Sequence, residues 1–196
     1  MKRTVLTLLL AAGVSSALSG CFALAAGGVA GGALVATDRR SSGAYVDDQS
    51  IELKLADQLD KALPSAHVNV TSYNRAVLLT GEVPSEEARQ QADLIARGMP
   101  NVRRVFNYTS VAPASSFSER SNDTWITSKV RTRMLDAKGY SPNHVKVVTE
   151  RGVVYVLGLV TQAEGEAIAG VVSQTAGVQK VVTLYETISE VAVPAQ

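Results

Sequence analysis

One thiol, two imidazoles and one indole are the scarce side chains with which this 196-residue chain could do chemistry. The thiol is Cys21, which closes the run Leu18-Ser19-Gly20-Cys21 and has no second cysteine to pair with. The imidazoles, His67 and His144, each stand just ahead of a predicted strand. Neither a cysteine nor an i, i+4 histidine accompanies them, so their spacing is not that of a metal set. The indole is Trp125, followed at i+4 and i+8 by Lys129 and Arg133. The chain contains no G-x-S-x-G, no phosphate-binding P-loop and no H-E-x-x-H, and its acids are scattered. The residues therefore point to no enzyme and no cofactor.

The residues ahead of Cys21 have a recognisable order. Lys2 and Arg3 form a basic start, Val5 to Val14 are mostly apolar, and small residues follow. That is the layout of a bacterial signal peptide over residues 1–20. The apolar run is too short to make a good spanning helix. Leu18-Ser19-Gly20-Cys21 also resembles the lipobox of bacterial lipoproteins. The resemblance implies cleavage after Gly20 and acylation of Cys21, first on the thiol and then on the new amine. Two or more acyl chains anchor stably, at about 0.8 kcal/mol per buried methylene. Phe22 stands where Asp would favour retention in the inner membrane, so the sorting rule implies the outer membrane, on its periplasmic face. Residues 21–46 read as the acylated cysteine and a Gly-broken tether; Thr37 to Gly43 are polar and turn-rich.

Loss of residues 1–20 removes two cations from a chain of net charge +1, which leaves it close to neutral. A near-neutral chain lacks the basic footprint of a nucleic-acid binder. With no internal disulfide, the fold must rest on its apolar core.

The architecture follows from an internal repeat. Residues 67–70 read HVNV and residues 144–147 read HVKV, and a glycine, Gly81 or Gly158, stands eleven residues beyond the last Val of each. DQSIELKL (48–55) aligns with DTWITSKV (123–130), and NVRRV (101–105) with GVQKV (177–181). In the first copy Ile51, Leu55, Leu59 and Leu63 form a helical stripe, with Asp47 or Asp48 as cap and Pro64 as stop. Strands are expected over 67–72 and 76–83, joined at Tyr73-Asn74-Arg75. A second helix opens at Pro84-Ser85, and a third strand runs from Val102 to Val111. In the second copy Ile126, Val130 and Met134 make the stripe, with Asn122 or Asp123 as cap. Strands follow over 145–149 and 153–160, then a capping box at Thr161-Gln162-Ala163-Glu164, then a last strand over 178–188. The expected fold is α+β: two tandem αββαβ units, each a small three-stranded mixed sheet with two helices on one face. Expected boundaries are 47–112 and 122–190, with a linker at 113–121 and a tail at 191–196. Gly81 and Gly158 read as structural, through close helix–sheet approach or a positive φ. Tyr73, Tyr155 and Tyr185 are candidates for a contact between the copies.

This αββαβ order, with Gly ending the second strand and Gly-Val before the third, resembles the BON domain of bacterial envelope proteins. Two such units behind a lipobox resemble the dual-BON outer-membrane lipoproteins. The resemblance implies binding to anionic phospholipid membranes, chiefly phosphatidylglycerol, and enrichment at the division site. It also implies support of outer-membrane integrity, with links to barrel assembly machinery and to regulators of cell-wall amidases.

Trp125 decides where such binding would sit. On a helical wheel it lies well away from the stripe of Ile126, Val130 and Met134, on the side of Lys129 and Arg133, with Arg131 on the other flank. An outward indole beside cations suits a lipid interface. The first copy has Ser50 at that place, and its helix is more acidic. Asp123 and Asp136 put negative charge near the same helix. The residues equally allow Trp125 to cover the other copy or a sheet edge, with the cations merely solvated. The resemblance favours lipid, since the matching helix is the lipid-binding element in that family. The alternative function is that of a periplasmic protein adaptor.

Overall fold

The structure is a computed structural model that describes residues 38–189. The expected signal peptide, Cys21, Phe22, most of the expected tether and the last seven residues lie outside the described residues.

Helix α1 spans Ser42–Ala62 and α2 spans Glu86–Gly98. Between them strands β1 (His67–Tyr73) and β2 (Ala76–Val83) pair antiparallel. Strands β3 (Arg104–Asn107) and β4 (Ser110–Val111) both run parallel to β2. The second copy repeats this order: α3 (Phe117–Asp136), β5 (Val145–Glu150), β6 (Val153–Val160), α4 (Gln162–Ser173) and β7 (Lys180–Thr187). β5 pairs antiparallel with β6, and β7 runs parallel to β6. This is the α+β, twice-αββαβ fold expected from the repeat.

Each copy packs its helices on one face of its sheet. Ile51, Leu55 and Leu59 of α1 and Ala88, Ala92 and Ala96 of α2 close over Val77, Leu79 and Val83. In the second copy Ile126, Val130, Met134, Ile168 and Val172 close over Val154, Val156 and Val160. The alternate residues of the central strands form a third cluster, in which Tyr73 and Leu78 of the first copy meet Tyr155, Leu157 and Leu159 of the second. The two sheets thus meet on the faces their helices leave free. β2 and β6 are buried on both sides, which is why VLLTGEV and VYVLGLV are apolar runs rather than alternating ones.

Several expectations need correction. Helix α1 starts at Ser42 rather than near Asp47, because the Ser41 hydroxyl accepts the Ala44 N–H at 3.1 Å. Helix α3 starts at Phe117 rather than near Asn122, because Ser116 and Glu119 make a reciprocal capping box. Asp48 and Asp123, read as caps, sit inside their helices and are buried. The third strand of the first copy is broken at Tyr108-Thr109, where the Asn107 Oδ1 accepts both the N–H (3.1 Å) and the hydroxyl (2.6 Å) of Thr109. Tyr185 does not join the contact between copies. Tyr73 and Tyr155 do, but Tyr185 turns to the helix side of its sheet and packs in the second core.

The buried aspartates hold the hairpins. Both hairpins turn on two residues of positive φ: Asn74 (51°) and Arg75 (62°), then Arg151 (51°) and Gly152 (73°). That geometry matches the strand twist but is disfavoured for a non-glycine residue. Asp48 accepts the amides of Asn74 and Arg75, each at 2.7 Å, together with the Ser72 hydroxyl at 2.7 Å and Arg40 Nη1 at 2.9 Å. Asp123 accepts the amides of Arg151 at 2.8 Å and Gly152 at 2.9 Å.

The chain enters at the seam between the copies. Arg39 Nη1 and Nη2 grip Glu164 at 2.6 and 2.9 Å, and Nη1 donates to the Leu159 carbonyl at 3.0 Å. The next residue, Arg40, belongs to the first copy: it pairs with Asp48 and lies 4.2 Å over the Tyr73 ring.

Asp48→Ala should destabilise the protein by about 3–5 kcal/mol, since it breaks a buried ion pair with Arg40 and removes the acceptor of the turn amides. Asp123→Ala should cost about 1.5–3 kcal/mol, the range for hydrogen bonds to a charged acceptor. Denaturant unfolding of both variants checks the order.

Candidate functional site

Helix α3 carries the one tryptophan, and its outward face is built from its own sequence. Packing of Ile126, Val130 and Met134 against the sheet fixes the rotation of the helix. Three large apolar side chains then project to solvent: Phe117 (82% exposed), Trp125 (63%) and Leu135 (72%). Trp125 therefore covers neither the other copy nor a sheet edge.

Between them lie hydroxyls already used within the helix. Ser121 donates to the Phe117 carbonyl (2.8 Å), Thr124 to Arg120 (2.9 Å), Ser128 to Thr124 (2.9 Å) and Thr132 to Ser128 (3.0 Å). A polar group that is already paired is cheaper to take out of water than a free one. The outward face is thus apolar and hydroxylic along its middle.

Cations flank it on both sides. Lys129 and Arg133 lie beside Trp125 and reach the loop after α4: Lys129 donates to the Ala176 carbonyl, and Arg133 to that of Gln174 at 2.8 Å. Lys129 Nζ is also 6.0 Å from the centre of the Trp125 ring. Arg131 lies on the opposite flank, where it donates to the Val147 carbonyl at 3.3 Å. So the structure groups Trp125, Lys129 and Arg133 and separates Arg131 from them by the width of the helix. Of the two acids near this helix, Asp123 turns inward to the hairpin, and Asp136 is exposed at the last residue of the helix.

Phe117, Leu135 and Arg120 are parts of this face that sequence reasoning missed. Phe117 and Arg120 fell in the expected linker. The signal was present in Ser116 and Glu119, whose spacing is that of a capping box.

The two glycines act away from this face. Gly81 has a φ of +101°, and a Cβ on it would come within 2.0 Å of the His67 carbonyl oxygen. A Cβ on Gly158 would meet the His144 carbonyl oxygen at 2.8 Å. The close approach in both cases is strand to strand, not helix to sheet.

Among the described residues, one group has donors placed for a metal ion: His67, Glu82 and Glu150. His67 and Glu82 come from opposite positions on β1 and β2, and Glu150 from β5 of the second copy. Burial foremost, and the nearby Glu82 carboxylate, push the Glu150 carboxyl above its ordinary range, against the hydrogen bond it accepts from Asn69. No helix among the described residues is long and apolar enough to cross a membrane.

The comparisons with known proteins agree with this architecture. The family model for the BON domain matches twice, over residues 47–113 and 122–186. The chain is 37% identical over 177 residues to the outer membrane lipoprotein DolP of Haemophilus influenzae, covering 89% of this chain and 92% of that protein. It is 33% identical over 148 residues to a 21 kDa hemolysin of Actinobacillus pleuropneumoniae, covering 74% and 76%. It is 28% identical over 144 residues to the osmotically-inducible protein Y of Escherichia coli, covering 71% and 72%.

Replacing Lys129 and Arg133 together by Ala removes two cations from the carbonyl end of α4. The loss should be about 1–2 kcal/mol, with faster amide exchange from Thr175 to Val178, whereas Trp125→Ala should leave both unchanged. Hydrogen exchange with thermal melts reads the difference.

Proposed function

The chain belongs to the BON-domain family as a tandem protein of the DolP type, and from that membership we propose that it is an outer-membrane lipoprotein whose second copy binds anionic phospholipid through the outward face of α3. Cys21, once acylated, holds the protein to the periplasmic face of the outer membrane. Helix α3 lies along the headgroup layer, with Phe117, Trp125 and Leu135 turned to lipid and Lys129, Arg131 and Arg133 meeting phosphate.

The observation that carries this reading is the arrangement of the face itself. Three large apolar side chains are exposed on one helix, the hydroxyls between them are internally paired, and cations stand on both flanks. An indole settles at headgroup depth because its ring is apolar and its N–H seeks a polar partner. Each cation near an anionic surface adds about 1 kcal/mol. Neither contribution is large alone, so the acyl anchor and the helix face act together, as paired weak membrane signals do. Phosphatidylglycerol is the proposed headgroup, and support of envelope integrity at the division site the proposed role.

The test uses residues 22–196, which carry no acyl chain. Co-sedimentation with phosphatidylglycerol-containing vesicles should fall at least about tenfold in Trp125→Glu, a loss of roughly 1.4 kcal/mol or more, at unchanged melting temperature. Binding should weaken as salt approaches 1 M, where screening shortens to about 3 Å. If the wild type stays in the supernatant, the α3 face is not a lipid reader, and a protein-docking role takes its place.

A further inference from the structure

We propose that His67, Glu82 and Glu150 form a binding site for a divalent transition-metal ion of the zinc kind, shared between the two copies. The proposal does not depend on the lipid reading, because the trio lies at the contact of the two sheets rather than on α3.

The donors converge by construction. One ligand atom from each residue lies within 4.8 Å of the other two. His67 and Glu82 face each other across the hairpin register, with His67 Nδ1 3.1 Å from Glu82 Oε2. The positive φ of Gly81, next to Glu82, allows this approach: any larger residue would strike the His67 carbonyl. Glu150 ends β5 of the second copy and is held by Asn69 Nδ2, which donates to its Oε2 at 2.9 Å.

A second observation points to an occupant. Glu82 is only 1% exposed, and its Oε1 has no hydrogen-bond partner. Its Oε2 accepts the Ser115 N–H at 3.1 Å, so the carboxylate is fixed while one oxygen is left unused. Buried acceptors are almost always paired, and an unpaired one asks for an explanation. The Arg151 guanidinium, on a half-exposed side chain, stands 3.8 Å from that oxygen, beyond hydrogen-bond distance. The site therefore holds two buried carboxylates beside a part-exposed imidazole, with the Arg151 guanidinium no closer than 3.8 Å to Glu82 Oε1.

The donor set selects the class of ion. An imidazole nitrogen with carboxylates suits zinc and its neighbours, whereas magnesium and calcium prefer oxygen alone. A tetrahedral zinc ion with bonds of about 2.0–2.2 Å keeps its donors about 3.3–3.6 Å apart. Side-chain movement on the order of 1 Å closes the trio to that size. Water from the exposed side of His67 would complete the coordination. Because the ligands come from both copies, the ion would staple one sheet to the other.

The test uses the untagged full-length chain in detergent, stripped with chelator and titrated calorimetrically with zinc chloride. One ion per chain is expected, undisturbed by millimolar magnesium. Glu82→Gln, Glu150→Gln and His67→Ala should each weaken binding at least tenfold, and zinc should raise the melting temperature of the wild type but not of the variants. Cobalt titration adds an optical check, since d–d bands should appear in the wild type and be lost in His67→Ala. A wild type that takes up no zinc overturns the proposal. So does zinc binding of unchanged affinity in Glu150→Gln, which would mean a site not shared by the copies. If a glutamine variant fails to fold, the part-exposed His67→Ala decides: unchanged affinity there also overturns it.

Discussion

A carboxylate buried in the first helix of each copy holds the fold in register. Asp48 and Asp123 reach from α1 and α3 to the amides of hairpin turns that would otherwise be strained. The contact acts with the apolar stripe to fix the rotation of the helix, because the carboxylate must face the turn. It also sets the register of the strands, because it recognises the turn residues themselves. A slip of one residue would move every core side chain to the opposite face of the sheet. Everything later in each copy, including the parallel third strand, builds on that helix–hairpin pair.

The second constraint is that each sheet has two faces and each copy only two helices. The uncovered faces find each other, with Tyr73, Leu78, Tyr155, Leu157 and Leu159 at their contact. The consequence for function is one of exclusion. With the sheets turned inward, the helices supply the outer surfaces, and α3 alone adds a tryptophan to it. The repeat is therefore symmetric in fold and asymmetric in surface chemistry: Ser50 and Trp125 occupy equivalent places with different side chains.

Much of this was legible in the sequence because it depends on local periodicity. The stripes through Ile51 and Ile126, the strand pairs and the fold class all follow from spacing. That Trp125 points away from its own core followed too, since the stripe names the buried face of the helix, but whether it met solvent or the other copy did not. The helix starts were not legible. An Asp before an apolar stripe reads as a cap, and only the folded chain reveals that it bonds a turn more than twenty residues away. Tyr185 failed for a related reason: where both faces of a strand are buried, alternation cannot say which face meets which partner. His67, Glu82 and Glu150 carry no spacing signal, because the third residue comes from the other copy.

The arginines at the entry to the fold have a mechanical meaning. Arg39 is clasped by the second copy, and Arg40 by the first. Tension arriving from the N-terminal side therefore meets the second copy at Arg39 and the first at Arg40 before it reaches the body of α1. A chain that enters its fold through such a clasp ties its entry point to both copies within two residues.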